Sequence, residues 1–173
     1  MISSEMIHAI LQQYALSPKG THGVPHWARV LDNGRILARR TGAQIEVVEL
    51  FAIFHDAKRA NEGWAFEHGQ RGAEFAAQLW RANFQLSDRN FHLLYAACSD
   101  HTKGITAGDI TVQTCWDADR LDLGRVGIVP DIRYLCTDAA KESTILAWAE
   151  GRSRERFIPA LIQEEWSWSL EKK

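Results

Sequence analysis

Phe51-Ala52-Ile53-Phe54-His55-Asp56 is an apolar run that ends in a histidine beside an aspartate. A buried carboxylate that lacks a cation or hydrogen-bond donors is strongly destabilising. A metal ion is one compensation, because imidazole and carboxylate suit Zn, Mn, Fe or Ni, and adjacent residues at a helix end can reach one ion. The alternative is a capping His-Asp pair without a metal, and the dipeptide alone favours this alternative. The rest of the chain is needed to choose between them.

The segment that leads into this pair, residues 43–55, is apolar on nearly every side, which predicts a helix surrounded by other helices. Its Val47-Val48 pair also permits a buried strand. Apolar spacing, caps and glycine or proline stops predict further helices over residues 2–16, 25–42, 68–84, from 87 or 88 to about 98, 112–123, 139–150 and 152–170. Asn33-Gly34 is a weak point in the second of these. We find no convincing strand alternation and no internal repeat, so the sequence predicts an all-α, single-domain helical bundle.

Composition limits the classes of protein to which the chain can belong. Its 173 residues fit one domain, and 46% hydrophobic with 24% charged residues is typical of a folded soluble protein. The net charge of −2, without a dense basic run, argues against a long nucleic-acid groove. The three cysteines have no close C-x-x-C spacing and are predicted to be reduced thiols in the core.

The N-terminus has no basic start followed by an unbroken apolar core, and no segment has eighteen apolar residues in a row. We therefore expect a cytoplasmic protein that does not span a membrane. Seven tryptophans, among them Trp166 and Trp168, exceed the need of one core. They suggest either a homodimer contact or the packing of a terminal helix.

Several polar residues fall on the apolar faces of predicted helices and should therefore point inward. They are His26, His55, Asp56, His68, His101 and Asp119. A single inward histidine is usually a hydrogen-bonded core residue, but four histidines and two carboxylates in one small domain favour convergence on a metal. His8 and His92 are predicted to be surface residues, and His22 is left undecided.

The order of these residues resembles the H…HD…D signature of the HD-domain superfamily of metal-dependent phosphohydrolases. The segments HGVPHWARV, FHDAKR, EHGQRGAE, DHTKG and CWDADRLDLGRVGI are also similar to a subgroup of small bacterial HD proteins. The resemblance covers about residues 22–127, which we expect to form the metal-site core, with the last helices at about 138–170.

The resemblance implies one divalent ion (Mn, Mg, Fe, Ni, Co or Zn), with His26, His55, Asp56 and Asp119 as its ligands. The aspartate of an A-D-x-L segment is the ligand in this family, which selects Asp119 over Asp117 and Asp122. The helical faces favour the same choice, since Asp117 lies about 160° around the helix from Asp119. Some HD proteins hold a second metal through two further histidines, and His68 and His101 occupy matching places in chain order.

The expected activity is the hydrolysis of a small phosphoester, a nucleotide or a phosphorylated metabolite, by a metal-activated water. His68 and His101 are candidates for contacting phosphate or transferring protons. Nearby cations could offset developing charge, with Lys58 and Arg59 as the main candidates beside Arg71 and Lys103. For each cation alone, solvated surface charge is the commoner role. Arg120 could instead brace the ligand helix through a carboxylate.

Two other functions stay open at this stage. One is a di-iron oxygenase on the same scaffold, and the other is a non-catalytic ligand sensor that keeps its metal as structure. Lys58 and Arg59 stand where some alarmone hydrolases have glutamates, and no G-Y-P segment accompanies the HD pair as in cyclic dinucleotide phosphodiesterases. These two substrate classes are therefore disfavoured.

Overall fold

The structure, a computed structural model, describes residues 2–63, 65 and 67–169, and these are all-α. They form no strand, although Trp80 and Phe84 share an isolated bridge. The α-helices are α1 Ser4–Leu11, α2 Val24–Thr41, α3 Ile45–Phe54, α4 His68–Leu79, α5 Asp88–Asp100, α6 Ile110–Arg120, α7 Asp138–Lys141, α8 Ser143–Arg154 and α9 Leu161–Glu164. Two 3-10 helices, Leu123–Val126 and Ile132–Tyr134, follow α6. The all-α prediction is confirmed.

Helix α2 is central because it packs against both α3 and α6. It begins after Gly23 with Pro25 in its first turn and ends at Gly42, whose φ is 74°, as the sequence predicts. Asn33-Gly34 does not interrupt it. A Cβ at Gly34 would overlap the Val48 side chain on α3, and the Asn33 amide donates to Ala118 O on α6 at 3.0 Å. The pair that weakened the helix prediction is therefore a packing contact.

Helix α3 is surrounded by other helices, which confirms the helix prediction over the strand alternative. It contacts α2, α4, α5 and α6, and its side chains from Val47 to Phe54 are buried except Glu49. Because α3 ends at Phe54, His55 and Asp56 follow at its C-terminal end, inside the bundle.

Several predicted boundaries were wrong. Helix α4 stops at Leu79 rather than Phe84, and α6 stops at Arg120 and gives way to a 3-10 helix. Residues 152–170 are not one helix, because α8 continues to Arg154 and only Leu161–Glu164 is helical after it. Leu170 lies outside the described residues.

Buried apolar side chains form a continuous core that includes Trp166, which is 0% exposed. Trp166 therefore packs the interior, and this confirms the packing alternative for that residue over the dimer contact. All three cysteines are free, with Cys98 and Cys115 buried and Cys136 half-buried. No helix among the described residues is long and apolar enough to cross a membrane.

Candidate metal centre

Three helices and the turns that follow them bring four of the predicted ligands together. His26 lies in the first turn of α2, His55 and Asp56 follow α3, and Asp119 is on the last turn of α6. His26 Nε2 is 3.0 Å from His55 Nε2 and 3.5 Å from Asp119 Oδ1. Asp56 Oδ2 completes the group, at 3.6 Å from His26 Nε2 and 3.8 Å from His55 Nε2. We call these four residues the first cluster.

A second group surrounds the other oxygen of Asp56. Its Oδ1 is 3.1 Å from His68 Nε2 and 3.8 Å from His101 Nε2, and the two Nε2 atoms are 3.0 Å apart. His68 is the first residue of α4, where a Cβ at Gly72 would overlap Phe54 O at the end of α3. This glycine lets α4 approach the HD pair closely. We call Asp56, His68 and His101 the second cluster.

The tautomers of the four histidines follow from their outer contacts. Nδ1 of His26 is 2.7 Å from Asp122 Oδ2, while Nδ1 of His55, His68 and His101 lie within 3.1 Å of the carbonyls of Phe51, Ala65 and Cys98. These oxygens only accept hydrogen bonds, so each Nδ1 carries the proton. Each neutral ring then directs an Nε2 lone pair into a cluster.

Facing lone pairs need a cation between them, and the spacing of the first cluster fits a metal ion. Neighbouring ligand atoms around an octahedral ion with bonds of about 2.1 Å lie about 3.0 Å apart. In addition, Asp119 Oδ1 is buried and has no hydrogen-bond partner in the described part of the chain. Buried polar atoms are normally satisfied, so this oxygen is free to bind a cation. The buried His and Asp groups could therefore hold a metal ion, including His22 with His26 and Asp56.

The protonation states also suit a metal. Burial lowers the pKa of His26 well below its usual value and that of His55 to about 4, so both rings are neutral near pH 7. Burial alone would raise the pKa of Asp119, but His55 and Arg125 outweigh it and lower this pKa to about 2. Burial is likewise outweighed at Asp56, whose pKa is held well below its usual value by His55 and by the hydrogen bond from His22. Neutral imidazoles and ionised carboxylates are the forms that bind metals.

A cation already lies beside the second cluster. The Arg59 guanidinium is buried, with its NH1 3.0 Å from His68 Nε2 and 3.4 Å from Asp56 Oδ1. It therefore satisfies two of the three groups that would ligate a second ion, and its charge opposes a second dication. Burial lowers the pKa of His101, but the negative charges of Asp56 and Asp119 nearby outweigh it, so this pKa is raised.

Residues outside the four predicted ligands hold them in position. Asp122 accepts from His26 Nδ1 and from Arg29, whose Nε is 2.7 Å from Asp122 Oδ1. His22 Nδ1 donates to Asp56 Oδ2 at 2.9 Å, which settles the residue left undecided from the sequence. Arg125 NH2 lies 3.8 Å from Asp119 Oδ1. The sequence spacing could have predicted two of these supporting residues, because Arg29 and Asp122 each follow a predicted ligand by three residues.

Not every predicted cation reaches the clusters. Lys58 points elsewhere, because its ammonium donates to Gln13 Oε1 at 2.9 Å and lies 4.2 Å from the Phe75 ring centroid. Lys103 pairs with Asp100 on the surface, and Arg71 Nε donates to Lys58 O. Arg120 does brace its helix, but through the carbonyls of residues 105 and 134 and Cys136 Sγ rather than a carboxylate.

The two neighbouring aspartates have different environments. Asp117 Oδ1 accepts from Cys136 N at 2.7 Å, and Asp117 Oδ2 accepts from Thr137 N and Thr137 Oγ1 at 2.8 Å. These bonds hold the segment that leads into α7. Asp119 points into the first cluster instead, as the helical faces predict. His8 and His92 are exposed, also as predicted.

No family model, curated protein or solved structure matches this chain.

Proposed function

We propose that this protein is a metal-dependent phosphohydrolase of the HD-domain type, with one divalent ion held by His26, His55, Asp56 and Asp119. The observation that supports this most is the pair of facing Nε2 lone pairs beside Asp119 Oδ1, a buried oxygen with no hydrogen-bond partner among the described residues. A capping His-Asp pair would need neither the convergent imidazoles nor the free carboxylate oxygen.

The charge balance around the clusters favours an anionic substrate. Three buried or nearly buried carboxylates meet three buried guanidiniums in ion pairs or close contacts: Asp56, Asp119 and Asp122 with Arg29, Arg59 and Arg125. These charges cancel when the imidazoles are neutral. A bound divalent ion would then leave an excess of two positive charges, which a phosphomonoester dianion would match.

A bound divalent ion would supply a water of lowered pKa and would polarise a phosphoryl oxygen. The protein's own groups complete the reaction. Arg59 lies beside Asp56 and Arg125 lies beside Asp119. Both guanidiniums would hold the phosphoryl oxygens as negative charge develops. The water oxygen would bond to phosphorus and the ester P–O bond would break. The leaving oxygen would take the proton that the attacking water releases, and the Nε2 lone pairs of His101 and His68 are placed to accept that proton and pass it on. Lys58 takes no part, because its ammonium donates to Gln13.

One ion accounts for the site better than two. Arg59 takes the position beside Asp56 Oδ1 and His68 Nε2 where a second dication would otherwise be held. A di-iron oxygenase would require that second ion, so the arrangement favours hydrolysis.

Elemental analysis of the purified protein, combined with a panel of phosphoesters and an oxygen electrode, tests the proposal. We expect about one equivalent of divalent metal and release of phosphate from a small phosphoester. Two iron equivalents with oxygen consumption would replace the proposal with the oxygenase. Bound metal without turnover of any kind would replace it with the sensor.

A further inference from the structure

A second polar feature adjoins the first cluster on the side of Arg125. It is a cavity of about 160 Å³ between the loop before α2, the start of α2, the 3-10 helix after α6 and the turn after α8. We call it the basic pocket and define it by its four cations, Lys19, Arg29, Arg125 and Arg156. None of the residues that line it is acidic.

The charges of the basic pocket are only partly neutralised. Arg29 is paired with Asp122 beneath the pocket. Lys19 and Arg156 are exposed and have no ion-pair partner within the described ranges. Like charges repel one another, so the two cations that have no carboxylate partner there, Lys19 and Arg156, favour a bound anion.

Arg125 supplies an independent sign of a ligand. It is 9% exposed, and its Nε–H is buried without an acceptor among the residues described. Elsewhere on this guanidinium, NH1 donates to Asp122 O at 3.0 Å. A buried guanidinium N–H normally has an oxygen partner, and a phosphate oxygen is a strong one.

Arg125 also connects the basic pocket to the metal centre. Its NH2 is 3.8 Å from Asp119 Oδ1, and Asp119, whose side chain is 13% exposed, is the first-cluster residue most open to solvent. Arg125 therefore lines the basic pocket and also lies beside the first cluster, so the two sites share this guanidinium.

We propose that the basic pocket binds a second phosphate group of the substrate, so that the substrates are small organic molecules that carry two phosphate groups. This inference rests on the proposed function, because the first phosphate is the one hydrolysed at the metal centre. Planar guanidiniums bind phosphate through paired hydrogen bonds, and the two charges without carboxylate partners, Lys19 and Arg156, match a phosphate dianion better than a singly charged carboxylate.

Binding of inorganic phosphate to chelator-treated protein tests the pocket without the metal. We expect the double variant K19Q/R156Q to bind phosphate about ten-fold more weakly in isothermal titration, because two charge-assisted contacts are lost. The matched control is R154Q. Arg154 is exposed, lies two residues before Arg156 and pairs with Glu150, but it does not line the pocket. Equal affinity in wild type and the double variant, or no phosphate binding by wild type, overturns the proposal.

Turnover of a matched pair of substrates separates this proposal from the proposed function. Adenosine 3′,5′-bisphosphate and adenosine 5′-monophosphate serve as the test pair, with divalent metal present. We expect wild type to have the higher kcat/KM for the bisphosphate, and K19Q/R156Q to lose that preference while its monophosphate kcat/KM is unchanged. Equal kcat/KM for both substrates in wild type would overturn the bisphosphate inference and leave the hydrolase. If no phosphoester is hydrolysed, the proposed function is refuted. If phosphate binding still weakens in K19Q/R156Q in that case, the anion site in the basic pocket is supported.

Discussion

Asp119→Asn should lose bound metal and stay folded. Asp117→Asn should keep its metal affinity but have a less stable fold. The two residues lie on the same helix, and each variant changes one carboxylate to an amide. Asp119 Oδ1 has no hydrogen-bond partner among the described residues, whereas the carboxylate of Asp117 accepts from Cys136 N, Thr137 N and Thr137 Oγ1. The pair therefore separates ligand chemistry from helix packing.

The contacts set the expected magnitudes. Loss of a group that only orients a ligand weakens metal binding roughly 10- to 100-fold, so loss of Asp119, a proposed ligand, should weaken it at least as much. The chelated Asp119→Asn protein loses no hydrogen bond, but it loses the favourable contact with His55 and Arg125 that lowers the pKa of Asp119 to about 2, so its unfolding free energy should fall by about 1–2 kcal/mol. In Asp117→Asn the new NH2 group must face backbone donors. We expect a loss of about 1–3 kcal/mol and a fall in Tm of roughly 2 to 12 °C.

Two measurements on each variant are sufficient. Metal affinity comes from competition with a chromogenic chelator, and unfolding free energy comes from urea denaturation of chelated protein. If metal binding and turnover collapse in Asp117→Asn but survive in Asp119→Asn, the assignment of the ligand helix is off by two residues and the reasoning is refuted.

Four further predictions concern the site and the core. Asp122→Asn should weaken metal affinity about 10- to 100-fold in chelator competition, because the amide is uncharged and its single oxygen cannot accept from both His26 Nδ1 and Arg29 Nε. Unchanged affinity would contradict the supporting role of Asp122. Trp166→Ala should lower the unfolding free energy measured in urea by about 3–5 kcal/mol, because the indole is fully buried. The metal affinity of the folded protein should not change. A loss below about 1 kcal/mol would argue against the position of Trp166 in the core. Metal at one hundred times its Kd should raise the unfolding free energy by about 2.7 kcal/mol in calorimetry. Because the pKa of His55 is lowered to about 4, proton competition at this ligand should be weak at pH 6 and strong near pH 4, and a collapse of affinity already at pH 6 would count against neutral ligands.

Local sequence patterns predicted the parts of the fold that depend on local physics. Gly42 as a stop and Pro25 as a start give α2 its bounds, and the apolar run before His55 gives the buried α3. The inward-facing positions of the helices also predicted that His26, His55 and Asp119 lie close together. These predictions succeed because helix periodicity and capping are properties of short segments.

The supporting residues were harder to predict because their partners are distant in sequence. Asp122 and His26 are in contact although they are 96 residues apart in sequence, and His22 and Asp56 are 34 residues apart. Lys58 follows Asp56 closely, yet the turn after α3 directs it towards Gln13. In a turn, the direction of a side chain depends on tertiary packing rather than on helical periodicity.

The most direct test of the metal centre is elemental analysis of wild type, His55→Ala and Asp56→Ala after metal loading and desalting, with far-ultraviolet circular dichroism on the same samples. We predict about one equivalent of divalent metal in wild type, almost none in either variant, and helical spectra for all three. Full metal occupancy in both variants would contradict the site.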